Sequence, residues 1–265
     1  MSEETACRLC GGDTKVHFTD LILRKLSCRY LLCDSCGSLQ TEQPYWLDEA
    51  YKSSSIADAD TGVFLRGINN LCILYLSTWL LGSAKRARVL DFGGGNGLLC
   101  RMLRDVGFDA RLSDQYARNE IARGFDDIGE TPDVICSFEV AEHFPDPRAG
   151  MAAILGRGAM TAIVGTETFR GQGKDWWYIS PHSGQHLFFY SHIGMKILAD
   201  LHGYIYERVG SLHFFLKRPL SPWQSSLLWR VLSPRAICWV RAYLMLRLSN
   251  RFASADNQIA LLVGR

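Results

Sequence analysis

The chain has 265 residues, is 48% hydrophobic and carries a formal net charge of +2, which suits one large domain with a small attachment and leaves no footprint for a strongly anionic partner. No apolar run reaches about 18 residues without a charge, which argues against a transmembrane helix. Met1-Ser2-Glu3-Glu4 lacks the basic and apolar regions of a signal peptide, and nine cysteines read as reduced thiols, so a cytoplasmic location is expected.

Four cysteines have a pattern: Cys7-x-x-Cys10-Gly11 and Cys33-x-x-Cys36-Gly37. Two such knuckles can close a tetrahedral thiolate site, each glycine letting the turn fold tightly enough for backbone N–H groups to reach sulfur. Four sulfur ligands leave no position for water, so a zinc ion held by Cys7, Cys10, Cys33 and Cys36 would support the fold and not catalyse. A redox pair fits two symmetric knuckles poorly. Cys28, between them, reads as a small core residue. Residues 1–43 are therefore taken as a zinc-binding lobe.

Residues 44–87 read as a linker and helices. Pro44 and Ser53-Ser54-Ser55 mark the join, and Tyr45, Trp46 and Tyr51 are read as docking the lobe, with covering a ligand cleft as the alternative. From Thr61 to Leu81 a helix is expected, with Phe64, Ile68, Leu71, Tyr75 and Trp79 at helical spacing.

Arg88-Val89-Leu90-Asp91-Phe92-Gly93-Gly94-Gly95-Asn96-Gly97, followed by Leu98-Leu99-Cys100-Arg101, reads as strand, glycine turn and helix. Such a turn offers unpaired N–H groups and a positive helix end to a nucleoside ligand. The dinucleotide fingerprint G-x-G-x-x-G fails in both registers, since Leu98 and Cys100 stand where its third glycine belongs. A second strand ends at Asp114, where a carboxylate could accept both ribose hydroxyls. Asp126 and Asp127 are read either as contacts to an adenine edge or as surface charge.

Val134 to Phe138 reads as a central parallel strand whose end carries Glu139, Glu142 and His143. A further strand, Thr161 to Glu167, leads into a loop dense in aromatics and histidines that includes Tyr178, His182, Gln185 and His186. Ser191 to Gly203 is expected to be a helix with a serine cap and a glycine stop, and Tyr204 to Leu216 a strand. Residues 217–255 read as a helical insertion, and Ile259 to Val263, within 256–265, as the last strand. From Arg208 to Ala255 there are eight Lys or Arg and no acid. Arg235, Arg241, Arg247 and Arg251 form no single polar face, so these helices are read as packed on the domain or in a homodimer, with peripheral membrane contact as the alternative. Nucleic acid is disfavoured.

The acid-x-Gly-x-Gly-x-Gly run of Asp91, Gly93, Gly95 and Gly97 resembles the first motif of class I S-adenosylmethionine-dependent methyltransferases. Glu139-Val-Ala-Glu142-His143-Phe-Pro-Asp-Pro147 is similar to their fourth-strand motif. The resemblance implies a Rossmann-like, doubly wound α/β domain over 88–216, with S-adenosylmethionine held by Asp91, Gly93, Gly95, Gly97, Asp114, Glu139, Glu142 and His143. With its cysteine knuckles and Gly184-Gln185-His186, the chain also resembles the zinc-lobed, sugar-modifying branch that includes the deoxysugar C-methyltransferases. That resemblance implies a sugar or nucleotide-linked sugar as substrate and His186 as base beside Gln185, with His182 and Tyr178 in reserve. Gln185 replaces the acid of the C-methyltransferases. Two rival readings are a zinc-ribbon interaction protein that binds a nucleoside without chemistry, and a methyltransferase of protein or nucleic acid.

Overall fold

In chain order, strands β1 (Thr14–Ile22), β2 (Leu26–Cys33) and β3 (Leu39–Thr41) precede helices α1 (Leu47–Ser53) and α2 (Val63–Leu80). Next come β4 (Arg88–Phe92), α3 (Leu98–Asp105), β5 (Asp109–Ser113), β6 (Val134–Phe138), α4 (Pro147–Leu155) and β7 (Thr161–Gly165). The chain continues through β8 (Phe188–Phe189), α5 (His192–Leu201), β9 (Ile205–Val209), β10 (Leu212–Leu216), α6 (Pro222–Val231) and α7 (Pro234–Arg247). The structure is a computed structural model and describes residues 6–53, 62–82, 86–247 and 256. The chain divides into two units that alternate along the sequence: Met1–Thr61 with Glu139–Gly156 and Val164–Phe215, and Gly62–Phe138 with Arg157–Ile163 and Leu216–Arg265.

In the unit built on Gly62–Phe138, β5, β4 and β6 lie side by side and parallel, with Val89 opposite both Ala110 and Val134. Val89, Leu90, Ile135 and Cys136 are at most 2% exposed, as continuous apolar strands buried on both faces should be. The chain steps outward from β4 to β5 and then back past β4 to β6. That reversal puts the switch in strand order beside β4, and ligands of open α/β sheets bind at the carboxyl ends of the strands flanking such a switch. The architecture is the expected α/β, Rossmann-like one.

The buried Arg104 of α3 bonds Asp109 and Asp256 and stacks 3.6 Å over the Phe125 ring. Helix α2 is long and apolar enough to cross a membrane by length and composition, but Leu71, Cys72, Leu74 and Leu80 are buried. Of the residues expected along its apolar stripe, Leu71 is buried, whereas Phe64 and Trp79 are 60% and 64% exposed. Apolar residues lie all round this helix, so spacing alone does not choose the face; packing against α3, α6 and α7 does. The basic segment forms helices α6 and α7, with Trp223, Trp229 and Trp239 exposed. The expected strand Ile259–Val263 and Arg251 lie outside the described residues.

In the other unit, β1 and β2 form a hairpin between the cysteine knuckles, and β3 and β8 extend it in the order β1-β2-β3-β8. Its core gathers Ile22, Cys28, Tyr30, Trp46, Tyr178, Leu187 and Phe189. Cys28 is a core residue, as read. Ser191 caps α5 by accepting the Gly194 N–H, and its own hydroxyl donates to the Cys36 carbonyl at 2.5 Å. The single strand expected from Tyr204 to Leu216 is instead a hairpin of β9 and β10. It turns at Gly210, whose φ of +62° and neighbour Ser211 give a local turn signal.

Candidate active site

The glycine turn is built around a buried acid. Asp91 is 2% exposed, and its Oδ2 has no hydrogen-bond partner among the described residues. Burial pushes its carboxyl up to about 7. A Cβ on Gly94 would stand 2.4 Å from Asp91 Oδ2, so only glycine lets the turn close over that carboxylate. The Gly93 N–H donates to the Ser113 carbonyl at 2.7 Å, and the Gly95 N–H donates to Asp114 Oδ2 at 2.9 Å. The other Asp114 oxygen accepts the Tyr116 and Ala117 N–H groups. Gly95 has φ +59°, and nothing lies within 4 Å of where its Cβ would be.

The segment after β5 is clasped onto this turn, since the Asn96 carbonyl accepts the Glu120 and Ile121 N–H groups, each at 3.0 Å. Asp91, Gly93, Gly95, Gly97 and Asp114 thus share one turn and its bordering loop. The nearby acids have other partners. Asp127 pairs with Arg157, and Asp126 accepts the Asn119 amide at 3.0 Å, which favours the surface-charge reading of this pair.

Beyond β6 the chain enters the other unit at Glu139, whose φ of +56° is rare for a residue with a side chain. A short helical turn, Ala141–His143, follows. Glu142 is 0% exposed, and neither of its carboxylate oxygens has a hydrogen-bond partner among the described residues. Its backbone carbonyl accepts the Leu187 N–H at 2.8 Å, which joins this turn to the Gly184-Gln185-His186 segment. His143 Nδ1 donates to the Gln185 carbonyl at 3.0 Å, and His186 Nδ1 donates to the Tyr178 carbonyl at 2.7 Å. In each ring that leaves Nε2 with a free lone pair. Burial lowers both imidazoles to about 4, so both are neutral near pH 7.

The rings of His143 and His186 meet edge-on, 5.0 Å apart, and His143 Nε2 is 3.9 Å from Glu142 Oε1. Tyr178 is buried with its hydroxyl 3.1 Å from that of Thr166. Burial, and then the charge of Glu142, raise that phenol well above its ordinary value. The Gln185 amide donates to the Ala50 carbonyl at 3.0 Å, and Trp46 Nε1 donates to the Gly184 carbonyl at 2.8 Å. Of the linker aromatics, Trp46 is thus buried against this segment, while Tyr45 and Tyr51 are exposed. His182 is exposed, 3.5 Å from the Ser180 hydroxyl. No local pattern signals that Glu142 and His186, far apart in the chain, meet in the fold.

The four cysteines converge. Cys7 and Cys36 sulfurs are 3.7 Å apart, Cys10 and Cys33 sulfurs 3.5 Å apart, and all four lie within 4.8 Å of one another as free thiols. A tetrahedral ion with metal–sulfur bonds of about 2.3 Å needs sulfurs about 3.8 Å apart. Gly11 and Gly37 follow the knuckles at φ +76° and +69°, and the Cys36 N–H donates to Cys33 Sγ. The cluster fits a tetrahedral metal.

Residues 70–205, just over half of the chain, match the family model described as a methyltransferase domain. The chain belongs to that family. It is a class I, S-adenosylmethionine-dependent methyltransferase. Among solved structures, similarity extends to a Burkholderia thailandensis 1,6-didemethyltoxoflavin N1-methyltransferase with bound S-adenosylhomocysteine, at 15% identity over 71% of this chain and 92% of that one, with a TM-score of 0.48. It also extends to the magnesium protoporphyrin IX methyltransferase of Synechocystis PCC 6803 with bound S-adenosylmethionine, at 14% identity over 65% and 92% of the chains, with a TM-score of 0.41. A third is an O-methyltransferase from neocarzinostatin biosynthesis, at 13% identity over 67% of each chain, with a TM-score of 0.42. Among curated proteins, no relative matches the chain.

Proposed function

We propose that this methyltransferase transfers a methyl group from S-adenosylmethionine to a sugar or a nucleotide-linked sugar. The glycine turn carries the cofactor part of the reading. The orphaned Oδ2 of Asp91 suits a bound ammonium, and the open space over Gly95 suits a ligand lying on the backbone. Asp114 keeps lone pairs for ribose hydroxyls. Gly93 and Gly97 shape the turn, and Glu139, Glu142 and His143 are the further residues proposed on the cofactor side.

When bound, the cofactor supplies an electrophilic methyl on a sulfonium. Accepting that methyl would require the acceptor atom to lose its proton, and removing it is the task left to this chain's own side chains. We assign proton removal to the group of Glu142, His143 and His186, with His186 as its key member. Its free Nε2 lone pair and the uncompensated Glu142 carboxylate both favour a proton there. Tyr178 and Gln185 hold that group in place, and His182 lines its exposed margin. Trp177, 74% exposed and edge-on to Tyr178 at 5.2 Å, offers an apolar face of the kind a sugar ring can lie against.

The zinc reading belongs to the same proposal, with Cys7, Cys10, Cys33 and Cys36 as ligands. Arg8 supports it by tying the first knuckle to the carbonyls of Thr41 and Leu187 at 3.0 and 2.8 Å. The deciding experiment is calorimetry with S-adenosylmethionine, followed by turnover assays over a panel of sugars and nucleotide sugars. Cofactor binding with transfer to a sugar hydroxyl or carbon supports the proposal. Binding with no transfer to any sugar in the panel would reject the substrate class.

A further inference from the structure

We propose that Glu142, His143 and His186 form a second metal site, which takes a divalent transition-metal ion through two imidazoles and one carboxylate. A carboxylate oxygen and one nitrogen of each ring lie within 4.8 Å of one another. What distinguishes the group is that every member presents an acceptor. The Nδ1–H of each ring is already given to a backbone carbonyl, and both Glu142 oxygens are buried without a partner among the described residues. A buried carboxylate facing lone pairs is costly unless positive charge sits between them. The Tyr178 hydroxyl is one donor and also adjoins Thr166; it cannot serve two carboxylate oxygens and two imidazoles.

His213 shows the contrast. This more deeply buried histidine has Tyr206 at 2.7 Å on Nδ1 and the Thr166 carbonyl at 3.1 Å on Nε2, so it needs no ion. The hydrogen bonds from His143 and His186 to backbone carbonyls are the kind that orient metal-binding imidazoles. Two imidazoles and a carboxylate suit Zn2+, Fe2+, Mn2+ or Co2+ better than Mg2+ or Ca2+. Three protein ligands leave coordination open, so an acceptor oxygen could bind there and lose its proton more readily. That consequence rests on the methyl-transfer reading above, in which His186 then acts as a ligand of the ion.

The test titrates metal-depleted protein with Co2+ and follows its absorption. Two equivalents should bind, one giving intense thiolate-to-metal bands from the cysteine cluster and one giving the weak bands of a nitrogen–oxygen site. Glu142→Gln, nearly isosteric, and independently His143→Gln should weaken the second equivalent about a hundredfold or more while leaving the thiolate bands in place. A single equivalent with thiolate bands alone would overturn the inference, as would a second equivalent that neither substitution weakens. Calorimetry with S-adenosylmethionine on the same samples separates the two readings. Cofactor binding without a second ion rejects only the metal site, and a second ion without cofactor binding rejects only the methyl-transfer assignment.

Discussion

Gly95→Ala isolates the cofactor reading from the fold. The residue stands at φ +59° with open space where a Cβ would go, so alanine clashes with nothing and costs only the left-handed strain of an L-residue, roughly 1 kcal/mol. In a chain this size that lowers the melting temperature by about 2–4 °C. Gly129→Ala provides the control, since Gly129 also has a positive φ, +81°, and no atom within 4 Å of its would-be Cβ. Both variants should lose similar stability by differential scanning calorimetry. Only Gly95→Ala should lose S-adenosylmethionine affinity, by about tenfold or more, corresponding to about 1.4 kcal/mol of binding free energy. If Gly95→Ala binds the cofactor within twofold of the unaltered protein, the space over Gly95 is not where it lies.

His186→Ala should lower turnover by about a hundredfold or more with cofactor affinity nearly unchanged; a loss seen only in the Michaelis constant would reduce His186 to holding substrate. Metal analysis should find zinc on the cysteine cluster, and a strong chelator should lower the melting temperature because metal binding is coupled to folding. Unchanged stability after complete metal loss would count against that. Asp91 sets a pH dependence. Burial raises its carboxyl from an ordinary 3.8 to about 7, so the folded state holds a proton that the unfolded chain releases. The stability from that proton is fully present below about pH 4 and is lost as pH rises through about 7. Urea unfolding of the ligand-free protein across this window should show the decline, and Asp91→Asn should flatten it. An equal slope in Asp91→Asn would place the titrating group elsewhere.

What the sequence made legible was local. The glycine turn, the cysteine knuckles and the serine cap of α5 each lie within a few residues, where spacing alone fixes the geometry. The orientation of α2 was not legible, because a helix apolar on several sides gives no preferred face and its neighbours come from distant segments. The hairpin at Gly210 does carry a local signal, the Gly210-Ser211 pair, which a reading of Tyr204 to Leu216 as one strand passes over.

The group around His186 shows most clearly why long-range chemistry escapes a linear reading. Under the proposed likeness to the C-methyltransferases an acid is expected at position 185, and Gln185 by itself argues for a weakened base. In the fold, the Gln185 side chain is committed to the Ala50 carbonyl, and a carboxylate arrives from Glu142 instead. Two backbone contacts deliver it: the Leu187 N–H to the Glu142 carbonyl, and the pairing of β8 with β3 that fixes the strand carrying Phe188 and Phe189. Neither contact has a sequence signature, since a backbone hydrogen bond is indifferent to side-chain identity. A glutamine at 185 therefore does not leave His186 without a nearby carboxylate. That carboxylate comes from the turn after β6, from a residue beside His186 only in space.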